Sequence, residues 1–191
     1  MSKVNPRTIS EYYALPGEYN VELIDGVFYE VPVKGTLHQD IASYFHILIG
    51  GYVREQGIDC KVYEGPVGIR ILQDNYNIFK PDLFAVFNKV IIGRAGICGA
   101  PEFIIEIITD KASRRAMNAK FERYCDAKVK ELWIVDVQGR KLESYIYSGD
   151  KYLKKVYNLE GEILIGTFKE KLSINLNEIN DIIEEYELMK D

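Results

Sequence analysis

Asp82, Glu106 and Lys120 are the residues of this chain whose types and order could do chemistry. Glu106 stands inside Phe103-Ile104-Ile105-Glu106-Ile107-Ile108, a β-branched and aromatic run that reads as a strand covered on both faces. A lone ionised carboxylate is costly to bury there unless it is protonated, paired or bound to a cation. Pro81-Asp82 heads a second apolar run, Leu83 to Phe87. Proline is tolerated at the start of a strand, so Asp82 is expected at the mouth of the sheet rather than in its core. Mg²⁺ (or Mn²⁺) takes hard oxygen ligands, commonly one or two carboxylates with water and substrate phosphate. Such an ion acidifies a water and neutralises charge building on a scissile phosphate. A lysine beside the pair offsets the carboxylate charge and can orient the nucleophile or stabilise the oxyanion. The indicated chemistry is metal-dependent hydrolysis of a phosphodiester.

Two further residues are candidates, each with a plainer alternative. Glu22 could supply an outer carboxylate if its hairpin folds over the same end of the sheet. Strand alternation puts it on one face with Ile24, and burial statistics favour a solvent-facing residue. His38 lies on the apolar stripe of the first long helix, where spacing alone favours a core-edge histidine satisfied by a hydrogen bond over a group at the rim of a site. Lys120 falls at the edge of its helix stripe, and its plain reading is a stem on the core with its amine in water.

The elements that must position these residues are legible in order. Pro6 and Pro16 bracket a short helix or irregular lead-in ended by Leu15-Pro16-Gly17. Val21 to Glu30 reads as a hairpin about Asp25-Gly26. Thr36 and Gln39 have capping-box spacing ahead of a helix reaching about Gln56 and closed by Gly57. Its stripe is Ile41, Phe45, Leu48 and Tyr52. Strands are expected at 60–64, 67–72 and 79–87. Gly93 to Gly99 lacks the GxxxxGK[ST] pattern and reads as a loop. A helix follows from Thr109-Asp110 to about Ala127, with Met117, Phe121 and Tyr124 inward. Its surroundings are locally basic, which fits a solvated face or a phosphate-docking one. Glu131 to Asp136 is a further buried strand, 141–147 and 151–157 form a hairpin, and 162–165 adds a short strand. A closing amphipathic helix over about 175–187 turns Leu176, Ile179 and Ile183 inward.

The whole chain sets the bounds. Its 191 residues, 47% hydrophobic and 28% charged, fit one α/β domain over residues 1–191, with a core from about 10 to 175. No internal repeat at solenoid spacing is present. No apolar run suits a membrane span or signal peptide, so a cytoplasmic protein with no membrane partner is expected. Cys60, Cys98 and Cys125 show no CxxC spacing and are expected as reduced thiols, not a zinc site. A net charge of −5 argues against a protein that coats DNA generally, but not against basic residues gathered at one cleft.

The ordered set resembles the Uma-two family of restriction-endonuclease-like proteins in the PD-(D/E)XK nuclease superfamily. The resemblance rests on Glu22-Leu23-Ile24-Asp25-Gly26, His38, Pro81-Asp82-Leu83, Pro101 to Ile107, Lys120 with Tyr124, and Glu131 to Asp136. It spans roughly residues 10 to 175. It implies a restriction-endonuclease-like αβββαβ core with a mixed sheet and antiparallel hairpin extensions. It also implies Asp82 and Glu106 as metal ligands, and Glu22 as the additional acid from the N-terminal element. The superfamily lysine two residues after the second acid is replaced here by Ile108, and the resemblance moves that role to Lys120. Thr109-Asp110-Lys111-Ala112 and Ala116 depart from the family pattern at the substrate-facing rim.

Three readings follow. The first is a Mg²⁺-dependent DNA endonuclease using Asp82, Glu106, Lys120 and Glu22, acting as a homodimer by analogy with other nucleases of this fold. The second is a nuclease-fold protein that binds nucleic acid or a protein partner without cutting. The third is a structural set, with Glu106 paired to Lys120 and Asp82 at a strand edge.

Overall fold

The computed structural model describes residues 5–17, 19–169 and 171–189. The first four residues of the N-terminal lead-in lie outside them. In chain order the elements are α1 (Ile9–Tyr13), β1 (Val21–Ile24), β2 (Val27–Glu30), α2 (Thr36–Glu55), β3 (Lys61–Glu64), β4 (Ile69–Arg70) and β5 (Leu83–Val86). Then come β6 (Ile92–Gly93), β7 (Gly96–Cys98), β8 (Phe103–Ile108), α3 (Lys111–Asp126), β9 (Glu131–Asp136), β10 (Lys141–Tyr147) and β11 (Tyr152–Asn158). The chain closes with β12 (Glu162–Leu164), β13 (Ser173–Asn175) and α4 (Leu176–Leu188).

Six strands make the central sheet in the order β11-β10-β9-β8-β5-β3. The β8–β9 pair is parallel and the other neighbours are antiparallel, so the sheet is mixed. The β8–β9 crossover runs through α3, the connection a parallel pair requires. Side-chain alternation along β8 splits the core. Phe103, Ile105 and Ile107 join the cluster that holds Phe45, Ile49 and Trp133 on the α2 and α4 side. Ile104 and Ile108 join Phe79, Met117 and Tyr124 on the α3 side. Glu106 therefore points toward α3, by the period of two alone.

Several local expectations are corrected. The N-cap of α2 is Gly35, which has no side-chain cap, so Thr36 begins the helix instead of capping it. The capping box of the N-terminal region is Thr8 with Glu11, ahead of α1. The inward stripe of α2 runs Ile41, Phe45, Ile49 and Val53, while Leu48 and Tyr52 are half-buried at its margin. Gly57 does end the helix in the left-handed region. Gly93 to Gly99 is not a plain loop: β6 and β7 form a hairpin that pairs through β7 with β4. The run 79–87 is shorter as a strand than expected. Ile78 and Phe79 bond instead to Leu23 of β1 and Ile69 of β4, through isolated bridges.

Candidate active site

The register of the central sheet creates the site. Leu83 pairs with Ile105, Phe84 with Ile104 and Ala85 with Phe103, so the next step outward sets Asp82 opposite Glu106. Asp82 precedes β5, and its Oδ2 accepts the Ile107 N–H at 2.7 Å, which ties the two strand ends together. Asp82 is 7% exposed. It is buried at the strand entry, covered by α2 and the segment before it, where an open sheet mouth was expected.

Lys120 lies on α3 and reaches back across the sheet face. Its Nζ donates to Glu106 Oε1 at 2.7 Å and to Glu22 Oε1 at 3.2 Å. The Tyr124 hydroxyl, one turn further along the helix, donates to the same Glu106 oxygen. Glu22, Glu106 and Lys120 are 3%, 5% and 4% exposed. Neither the solvent-facing reading of Glu22 nor the snorkelling reading of Lys120 holds. Glu22 is buried because both faces of β1 are covered. Leu23 packs with Ile9 and Ile78, Ile24 joins the α3-side cluster, and the Lys80 N–H donates to Glu22 Oε1 at 2.6 Å.

His38 lies against Asp82 in the candidate site, where a core-edge histidine satisfied by a hydrogen bond was expected. Its Nε2 lies 3.1 Å from Asp82 Oδ1, at an angle short of a well-formed hydrogen bond. Neither ring nitrogen has another hydrogen-bond partner among the described residues. Lys34, in the segment between β2 and α2, places its Nζ 3.3 Å from the same oxygen. Sequence reasoning missed Lys34, which belongs to no motif and lies in the segment between β2 and α2. The Tyr124 contact was foreshadowed by its four-residue spacing from Lys120 and by the pairing of the two in the family resemblance.

Charge explains how the cluster is poised. Burial pushes the Asp82 carboxyl up, but His38, Lys34 and Lys120 together outweigh it and hold the group down at about 2. Burial raises Glu106, and repulsion from Asp82 and Glu22 adds to it against the attraction of Lys120. Burial works against the charged form of Lys120, yet Glu106, Glu22 and Asp82 raise its pKa above the usual lysine value. Three buried carboxylates thus share one buried ammonium. Both protein hydrogen bonds to Glu106 fall on Oε1, and no protein donor among the described residues bonds to Oε2.

This donor set fits a hard divalent cation. Mg²⁺ needs only one or two carboxylates from the protein, and Asp82 and Glu106 can offer Oδ1 and Oε2. Among the described residues no three carboxylate, imidazole or thiol groups already form a metal cage. The two acids line a narrow cavity of about 60 Å³ together with Glu22, Ser113, Ala116 and Lys120. A wider cavity of about 280 Å³, walled by Lys34, His38, Glu64 and Pro66, meets it at Asp82 and Lys80.

The Uma2 family, described as "Putative restriction endonuclease", matches residues 9–177. The chain belongs to this family. A solved structure of the same fold is described as "a putative nuclease belonging to DUF820 from Anabaena variabilis". It superposes with a TM-score of 0.76 over 93% of this chain and 99% of that one, at 17% identity. No curated protein matches the sequence. Family membership makes this Uma2 chain a restriction-endonuclease-like protein, as the resemblance implied, and the shared fold agrees with it. No helix among the described residues is long and apolar enough to cross a membrane.

Proposed function

We propose that this Uma2 protein is a Mg²⁺-dependent (or Mn²⁺-dependent) endonuclease that hydrolyses phosphodiester bonds of DNA. The observation that carries the reading is the convergence of Glu22 from β1, Asp82 from the entry to β5, Glu106 from β8 and Lys120 from α3 on one buried cluster. Asp82 and Glu106, which both line the narrow cavity, would hold the ion. The ion would acidify a water and neutralise charge developing on the scissile phosphate.

The protein's own groups supply the rest. Lys120 stays charged and can donate to an anionic phosphate oxygen or orient the attacking water. Glu22 acts through Lys120, fixing where its ammonium sits. Tyr124 donates to the same Glu106 oxygen as Lys120 and so fixes the carboxylate, leaving its second oxygen without a protein donor among the described residues. His38 and Lys34 keep Asp82 ionised before any ion arrives.

A second reading, a nuclease-fold binder that does not cut, is favoured by one observation. Glu106 already pairs with Lys120 and accepts the Tyr124 hydroxyl, so its gain from a cation is reduced. Plasmid cleavage decides between them. Supercoiled DNA with Mg²⁺ or Mn²⁺ should be nicked by the wild type, and Asp82→Asn and Lys120→Ala should abolish nicking. A folded wild type inert over several metals and DNA forms would favour the binder.

A further inference from the structure

The β6–β7 hairpin stands beside this cleft and has no part in it. Gly93 pairs with Gly96, which makes Arg94-Ala95 the two-residue turn at its tip. The hairpin is fixed to the β4 segment: Ile97 N–H donates to Gly68 O and Gly99 N–H to Arg70 O, both at 3.0 Å. Gly96 has φ +144°, and a β-carbon there would collide with Gly68 O, so only glycine lets the backbones meet this closely. The segment is in turn anchored near the site, since Ile69 and Phe79 exchange backbone hydrogen bonds at 2.8 and 2.9 Å two residues before Pro81.

A concavity lies on each side of the hairpin. One, of about 540 Å³, is bounded by Tyr13, Arg70, Arg94 and Cys98. The other, of about 320 Å³, is bounded by Tyr63, Pro66, Val67 and Arg94. Pro66 also walls the 280 Å³ cavity at Asp82, so the concavity on the Tyr63 side of the hairpin shares a wall residue with that cavity, and Arg94 lines both this concavity and the Arg70 one. Neither concavity contains a carboxylate in its wall, in a chain whose net charge is −5.

The two arginines are unlike most others in the molecule. Arg7, Arg114, Arg123 and Arg140 are each paired with carboxylates. Arg70 and Arg94 make no ion pair among the described residues, and the buried Nε of Arg70 has no acceptor. A buried donor without an acceptor is destabilising, and a guanidinium is shaped to grip a phosphate through two parallel hydrogen bonds. Tyr13, 57% exposed, adds an aromatic face to the same groove, the kind of surface on which an unpaired base stacks.

We propose that the Arg70–Arg94 groove binds backbone phosphates of the nucleic-acid strand flanking the bond held at Asp82 and Glu106. This rests on the nuclease reading above. Arg94 grips from the hairpin tip and Arg70 from the floor of the groove, so the contacts position the strand without reading its sequence.

Fluorescence anisotropy of a labelled DNA duplex tests it, with Ca²⁺ replacing Mg²⁺ to prevent cutting. Wild type, Arg94→Ala, Arg94→Glu and Arg70→Ala/Arg94→Ala are compared over a range of salt. Each arginine lost should weaken binding roughly tenfold and reduce the slope of log K against log salt by about 0.9 per phosphate contact. Arg94→Glu should weaken it further. Hydrolysis of bis(p-nitrophenyl) phosphate with Mn²⁺ should be unchanged in Arg94→Glu, because that substrate is too small to span the groove. Wild-type affinity and salt slope in Arg94→Glu would overturn the groove while leaving the nuclease reading standing. Lost hydrolysis of the small diester in a folded Arg94→Glu would also overturn it, placing Arg94 in the chemistry. Wild-type protein that binds no DNA would overturn both.

Discussion

Lys120 Nζ bridges Glu106 at 2.7 Å and Glu22 at 3.2 Å, joining α3 to β8 and to β1 through one buried ammonium. The pairing has two consequences, one for stability and one for reactivity. Removing a partner from a buried ion pair leaves the others charged and uncompensated.

Lys120→Met is therefore expected to destabilise the fold by about 3–5 kcal/mol, as read by urea unfolding. Glu22→Gln/Lys120→Met should recover part of that loss, because fewer unpaired carboxylates remain. A neutral effect of Lys120→Met on stability would show that the ammonium is not structurally required.

Cation binding should stabilise the folded protein through Asp82 and Glu106. At a Mg²⁺ or Mn²⁺ concentration near 100 times Kd, linkage adds about 2.7 kcal/mol and raises Tm. Asp82→Asn keeps a carbonyl oxygen for the Ile107 N–H but removes the anionic ligand and the charge facing Lys34 and His38, so it should lower the metal-free Tm and abolish the metal-dependent rise. Equal rises in both proteins would move the ion away from Asp82.

Acid stability should depend on Glu143, away from the site. Burial raises its carboxyl, but Tyr145, Lys154 and Lys141 outweigh this and hold it at about 2, against an ordinary value of 4.5. Tyr145 donates to it at 2.7 Å, and the two lysines lie within 2.9 and 3.1 Å. A depressed folded pKa stabilises above the unfolded value, and that stability is lost as pH falls through the folded one. The difference in unfolding free energy between wild type and Glu143→Gln should be fully present above about pH 4.5 and shrink toward pH 2. A difference constant over that range would refute the assignment.

Gly26→Ala tests the turn that carries Glu22 inward. Gly26 has φ +75°, and a β-carbon would collide with Pro6. Alanine at positive φ costs about 1 kcal/mol or more, and the clash adds to this. The variant should show lowered Tm and, because β1 shifts, weakened nicking. An unchanged Tm would mean that the N-terminal segment yields at little cost.

Residue pattern alone determined much of this protein. Phe103 to Ile108 and Glu131 to Asp136 are strands because unbroken β-branched and aromatic runs of that length suit a sheet buried on both faces. The helices at 36–55 and 111–126 follow from their apolar spacing. The order of Asp82, Glu106 and Lys120, with a carboxylate inside an apolar strand, named the centre of the candidate site.

Tertiary structure decided what covers each face. Alternation put Glu22 and Ile24 on one side of β1, but could not say that α3 would meet that side, and contact with Lys120 reversed its expected exposure. His38 was ambiguous for the same reason: a helix stripe specifies a buried face, not the carboxylate waiting against it. Lys34 and the Arg94 hairpin were invisible because their positions depend on bonds to distant segments, Asp82 for one and Gly68 with Arg70 for the other. Local periodicity encodes which way a side chain points. Only long-range packing fixes what it meets there, and here that meeting gathers the charges into one cluster.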